Sequence, residues 1–91
     1  IDGGAGDDAI TGSSAADTTN GAAGNDLLNG GGGDDVFKVG ASAGTDRFDG
    51  GAGRDSIIAT ASNVVIGVAS LTNVEVISSG GFAGVRIKLT D

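Results

Sequence analysis

The chain is 91 residues long, 19 of them Gly, with no Cys, His, Met, Trp or Tyr and three Phe. That length allows one domain at most with a modest buried fraction, and the inventory rules out disulfide staples, Cys/His zinc sites and nucleophilic catalysis built on Cys or His. The net charge of −7 lies wholly in residues 1–58, where ten Asp face Lys38, Arg47 and Arg54; in residues 59–91, Glu75 and Asp91 balance Arg86 and Lys88. Binding of nucleic acid or an anionic membrane through so acidic a surface is not expected. No apolar run approaches the roughly 18 residues of a membrane span, and no basic segment followed by an apolar one opens the chain as a signal peptide would.

Ile1-Asp2 fits the last two positions of a phrase that then repeats, so the chain is expected to begin inside a longer array. The phrase itself is clearest at Gly3–Thr11, and reads Gly-Gly-x-Gly-x-Asp-x-U-x, with U usually a large apolar residue. It recurs from Gly12, Gly21 and Gly30 with a period of nine, from Ala41 after a two-residue slip at Val39-Gly40, and from Gly50. The sixth position is always Asp: Asp8, Asp17, Asp26, Asp35, Asp46 and Asp55. The eighth holds Ile10, Thr19, Leu28, Phe37, Phe48 and Ile57. Phrase two, Gly-Ser-Ser-Ala-Ala-Asp-Thr-Thr-Asn, keeps its first Gly and Asp17 but lacks the other glycines and the apolar anchor.

Each phrase reads as a turn followed by a very short strand. The glycines permit positive φ and close backbone approach, Asp suits a turn, and the last three residues carry one inward side chain. A strand so short cannot stand alone, but stacked copies bury a common row of anchors. Helix is excluded by density: 15 glycines in residues 1–58, each costing about 1 kcal/mol in a helix interior. From Ala59 the period fails. Val64-Val65-Ile66, Val74-Glu75-Val76-Ile77 and Val85–Leu89 are strand candidates, the last alternating with Val85, Ile87 and Leu89 on one face. Residues 59–91 are therefore expected to extend or cap the stack of residues 1–58 as irregular β structure. Phe37, Phe48 and Phe82 are expected as core anchors, and Glu75 as a surface partner of Arg86 or Lys88.

The phrase resembles the RTX nonapeptide repeat of type I-secreted bacterial proteins, a calcium-binding parallel β-helix repeat. The resemblance covers Ile1 to Ile58 and implies an all-β, right-handed parallel β-roll with about 18 residues per coil, two phrases to a coil. It places calcium between turns stacked on one edge, held by two sixth-position Asp and by carbonyls from positions two and four of the earlier turn and one and three of the later. Carried onto this sequence, Asp8 pairs with Asp26, helped by carbonyls of Gly4, Gly6, Gly21 and Ala23. Asp35 pairs with Asp55, helped by Gly31, Gly33, Gly50 and Ala52. Asp26 with Asp46 is a third pair, with Gly24 on its earlier turn. Asp17 with Asp35 is the poorest, because phrase two lacks glycine at positions two and four; Ala22 and Ala41 depart from the pattern where Ala resists positive φ. Three to four calcium ions are implied.

Electrostatics supports a cation independently of the resemblance. Rows of carboxylates stacked at strand spacing repel by roughly 4 kcal/mol per close pair at an effective dielectric near 20, against a typical domain stability of about 5–15 kcal/mol. A chain disordered without calcium and folded with it is expected. No stretch gives an EF-hand loop, and the Gly30–Gly33 run is followed by Asp rather than the Lys of a phosphate loop. The chain is expected to be no enzyme. Two roles are open: the calcium-rigidified scaffold of a secreted bacterial surface protein (surface layer, adhesin or filament), in which exposed strand edges let copies stack, or the calcium-folding export domain of a secreted metalloprotease, lipase or toxin. The resemblance also implies passage through the type I secretion apparatus and folding outside the cell.

Overall fold

The computed structural model describes residues 1–40 and 44–89; Ala41 and the side chain of Leu89, both named above, lie outside it. Nine strands follow in order: β1 (Ala9–Thr11), β2 (Thr18–Asn20), β3 (Leu27–Asn29), β4 (Val36–Val39), β5 (Thr45–Asp49), β6 (Ser56–Ala59), β7 (Val65–Thr72), β8 (Val76–Ser78) and β9 (Arg86–Leu89). The turn glycines stop each strand after a few residues, so consecutive strands cannot pair with each other and instead pair with the strand one coil away. Odd strands form one parallel sheet, β1-β3-β5-β7-β9, and even strands the other, β2-β4-β6-β8. The chain is thus an all-β solenoid of about four turns. Among the described residues there is no helix, and hence none long and apolar enough to cross a membrane.

The coil spacing of 18 holds at the start, where Ala9 pairs with Leu27 and Thr18 with Val36. It then widens: Leu27 pairs with Arg47 and Val36 with Ser56, 20 residues apart in each case. The two added residues are Val39, which lengthens β4, and Gly40, which follows it. Past Ala59 both sheets continue. β7 pairs with β5 through a bulge between Asp46 and Arg47, which absorbs an extra residue and lets β7 run to Thr72, beyond the short strand expected at 64–66. β8 begins only at Val76, because Val74 and Glu75 belong to the turn before it.

Two expectations for this region need correction. Glu75 precedes β8 in the even sheet whereas Arg86 and Lys88 lie on β9 in the odd one, so the expected cross-strand pair does not form. Phe82 is 41 % exposed in the loop between β8 and β9 and anchors no core; it falls outside the stacked strands that bury the other two. Ile87 is half-exposed as well, since β9 has a neighbour on one side only.

The core is the row of eighth-position side chains between the two sheets. Ile10, Leu28 and Phe48 come from odd strands and Phe37 and Ile57 from even ones, joined by Val39, Ala59, Val64, Ile66 and Val68. Phe37 and Phe48 meet edge to face with centroids 5.6 Å apart. Thr19 stands in the same row, fully buried, with its hydroxyl lacking a partner. A buried unpaired hydroxyl is unfavourable, so Thr19→Val is expected to stabilise the folded chain by about 1 kcal/mol, read as a higher melting temperature at fixed calcium; an unchanged or lower value would mean that the hydroxyl is satisfied in solution.

Candidate metal centre

Each turn is shaped by its glycines before its carboxylate matters. Gly4, Gly6, Gly31, Gly33, Gly51 and Gly53, at positions two and four, all have positive φ, from 75° to 94°. Gly24 shows why a side chain fails there: φ is 106° and a Cβ would sit 2.6 Å from the carbonyl carbon of Gly6, one coil below. Ala22 holds φ 62° without glycine's freedom, as its place in the pattern demands, and Asn20 Oδ1 accepts its N–H.

This geometry stacks the sixth-position Asp into columns. Asp8 N–H donates to Asp26 Oδ1 (2.8 Å), Asp26 N–H to Asp46 Oδ1 (2.7 Å), Asp17 N–H to Asp35 Oδ1 (2.8 Å) and Asp35 N–H to Asp55 Oδ1 (2.8 Å). All four expected pairs are brought together, each through a carboxylate reaching back one coil. Asp26, Asp35, Asp46 and Asp55 are each 2 % exposed or less. The second oxygen of Asp8, Asp26, Asp35 and Asp55 is buried with no hydrogen-bond partner.

What surrounds that second oxygen bears on what it could hold. The space a Cβ would take at Gly3 is bounded by Asp8 Oδ2 at 2.8 Å and the Gly21 carbonyl oxygen at 2.9 Å. At Gly30 the same space lies between Asp35 Oδ2 and the Gly50 carbonyl, 2.8 Å away. The carbonyls of Gly6, Gly24, Gly31 and Gly33 lie against the matching glycine one coil on. Of the residues named as carbonyl donors, Gly6, Gly21, Gly24, Gly31, Gly33 and Gly50 therefore face the neighbouring turn. Gly4, Ala23 and Ala52 lie in the same turns, and Ala52 is tied to Gly31 O through its own N–H (3.0 Å).

Phrase two differs. Without glycine after Gly12, Ser13 sends both its N–H (2.6 Å) and its hydroxyl (3.0 Å) to Asp17 Oδ2. Asp17 is thus capped within its own turn, and its second oxygen is already engaged.

The sequence reading missed two further sets. At position five, Asp7 Oδ1 accepts Asn25 N–H, Asn25 Oδ1 accepts Thr45 N–H, and Asp34 Oδ1 accepts Arg54 N–H (2.7–2.9 Å). This ladder runs opposite to the first: here the earlier coil supplies the acceptor. At position nine, Asn20, Asn29 and Asp49 each accept the N–H two residues on. The signal for both was a recurrence of Asp or Asn at positions five and nine of the phrase.

The buried carboxylates have no compensating side chain nearby in the array, because Lys38, Arg47 and Arg54 are exposed. Burial pushes the Asp46 carboxyl up to about 6, opposed by the hydrogen bond from Asp26 N–H and reinforced by the Asp26 charge. Asp26 is raised first by burial, against the Asp8 N–H bond and with the charges of Asp8 and Asp7 adding. Asp55 is raised by burial, against the Asp35 N–H bond and with the charges of Asp35 and Glu75 adding. Stacked Asp carboxylates and the turn carbonyls beside them would offer an all-oxygen donor set suited to a hard divalent cation. Among the described residues no three acidic side chains converge, so such an ion would draw on main-chain oxygens.

The sequence model of the RTX calcium-binding nonapeptide repeat matches the chain over residues 1–19, 11–41 and 40–63. No curated protein and no solved structure shows a significant match to it.

Proposed function

The chain belongs to the RTX calcium-binding nonapeptide repeat family and is a calcium-binding structural module, and from that premise we propose that it folds on extracellular calcium and serves as scaffold in a secreted bacterial surface protein. The observation that carries the reading is the column of buried Asp whose second oxygens find no partner in the protein. Calcium held there would neutralise adjacent carboxylates and tie one coil to the next. Asp8 with Asp26, Asp26 with Asp46, and Asp35 with Asp55 would supply the side-chain oxygens; Asp17, already capped by Ser13, contributes least. Binding that occurs only in the folded state adds directly to stability.

The scaffold role is supported by the end strands. Among the described residues, β1 and β9 of one sheet and β8 of the other each have a single neighbour, while Ile1 and Gly3 already pair with Asn20 on the outer side of β2; the edges of β1, β8 and β9 are where another strand can add. Such stacking suits a secreted array exported by the type I route.

The test is a calcium titration followed by far-UV circular dichroism, with sedimentation velocity on the saturated sample. Folding with a midpoint above micromolar calcium, and a sedimentation coefficient that rises with chain concentration, is expected. A chain already folded at submicromolar calcium would sink folding outside the cell. A strict monomer at saturation would turn the role towards a stabilising export domain of a larger secreted hydrolase or toxin.

A further inference from the structure

The turn before β8 has none of the repeat's glycines. It reads Thr72-Asn73-Val74-Glu75 and lies beyond residue 63, where the repeat match ends. Its backbone nevertheless takes up the same place in the stack. Asp55 N–H donates to Glu75 Oε1 at 2.7 Å, repeating at the same 20-residue separation the bond from Asp35 N–H to Asp55 Oδ1. Glu75 N–H and Val76 N–H both reach the Asp55 carbonyl at 3.1 Å, which locks the turn against the coil below. Asn73 adopts φ 56°, the left-handed conformation that glycine provides in the repeats and that Asn tolerates better than most residues.

Two further observations point to a ligand. Asp55 is fully buried and its Oδ2 has no partner. The space a Cβ would take at Gly50 is bounded by that oxygen and by the carbonyl oxygen of Asn73, as Asp35 Oδ2 and the Gly50 carbonyl bound it at Gly30. Glu extends one methylene further than Asp and so brings its carboxylate to Asp55 from a turn of different composition.

We propose that a further calcium ion is held between the Gly50–Asp55 turn and the Asn73–Glu75 turn, with Glu75 standing in for the Asp of the column and the Asn73 carbonyl for that of a repeat glycine. The site extends the cation column one coil past the repeats, into the segment that departs from their sequence. It rests on the calcium reading of the repeats themselves.

The experiment is calcium stoichiometry by flow dialysis on the full chain and on Glu75→Gln, which keeps an oxygen for Asp55 N–H but removes the charge. At the calcium concentration that saturates the unaltered chain, Glu75→Gln is expected to bind one ion fewer while keeping its β-sheet spectrum. Equal stoichiometry would overturn the site while leaving the repeat reading intact. No calcium bound by the unaltered chain would overturn both. If Glu75→Gln fails to fold, the unaltered chain loaded with Gd3+ decides: the Glu75 carboxyl carbon is expected to relax as fast as those of Asp35 and Asp55, and markedly slower relaxation rejects the site.

Discussion

Excess EDTA at pH 7 is expected to abolish the β-sheet circular dichroism of the calcium-folded chain, and magnesium is expected not to restore it. Four Asp are essentially sealed from solvent, and burying an ionised carboxylate without a partner is strongly unfavourable. Adjacent carboxylates one strand spacing apart add repulsion of roughly 4 kcal/mol per pair at an effective dielectric near 20. A few such pairs match the whole stability of a typical domain, about 5–15 kcal/mol. The core, ten buried apolar side chains among the described residues, is too small to offset them. Magnesium demands compact octahedral geometry and gives up water reluctantly, which a site built of stacked carbonyls does not suit. Sheets that survive EDTA at pH 7 would reduce the Asp column to a set of turn formers.

Acid acts on the two states in opposite directions. In the metal-free fold Asp46 is raised to about 6, and Asp26 and Asp55 are raised from 3.8 as well. The folded state then binds protons more tightly than the unfolded one. Their contribution to metal-free stability is fully present below the unfolded value and is lost as pH rises through about 6 for Asp46. Lowering the pH of an EDTA sample from 7 towards 4 is therefore expected to recover β structure. With calcium present the same protons compete for the ligands, and acid destabilises. Parallel pH dependence in the two conditions would sink this account.

Asp35→Ala is expected to raise the calcium needed at the folding midpoint by roughly one to two powers of ten. The side chain accepts Asp17 N–H through Oδ1 and carries one of the unpartnered buried oxygens. Removing it leaves a partly buried donor without its protein partner, at about 1–3 kcal/mol, and tenfold corresponds to about 1.4 kcal/mol. It also removes a carboxylate flanked by both Asp17 and Asp55, so two adjacent sites lose an oxygen donor. Asp17→Ala is expected to shift the midpoint less. Its Oδ2 serves Ser13 in its own turn, and Asp17 is only partly buried. The check is a pair of calcium titrations followed by circular dichroism; equal shifts for the two variants would show that position in the stack does not govern ligation.

Much of this was legible because a nine-residue period forces geometry. With Asp at every sixth position and an anchor at every eighth, stacking alone brings Asp8 to Asp26 and Phe37 to Ile57. The direction of the hydrogen bonds was not legible: nothing in the spacing says that Asp26 reaches back to Asp8 N–H while Asp7 reaches forward to Asn25. Glu75 was misread because its turn lacks glycine. A glycine-free turn can still occupy the site when Asn73 takes the left-handed conformation and a longer side chain closes the distance. Phe82 was misread because an aromatic residue in a short apolar chain invites a core assignment, whereas its burial depends on whether a strand carries it between the sheets.

The bonds that join the Asp columns span 18 residues at Asp8–Asp26 and Asp17–Asp35 but 20 at Asp26–Asp46 and Asp35–Asp55, and all lie at 2.7–2.8 Å. Contour length and the spacing of the Asp columns are thus decoupled: the solenoid is a comb whose teeth stay evenly set while the back between them is let out at Val39-Gly40. Such a frame can acquire a graft at a strand end without retuning a single tooth, which makes length, rather than composition, the variable that an array of this kind is free to explore.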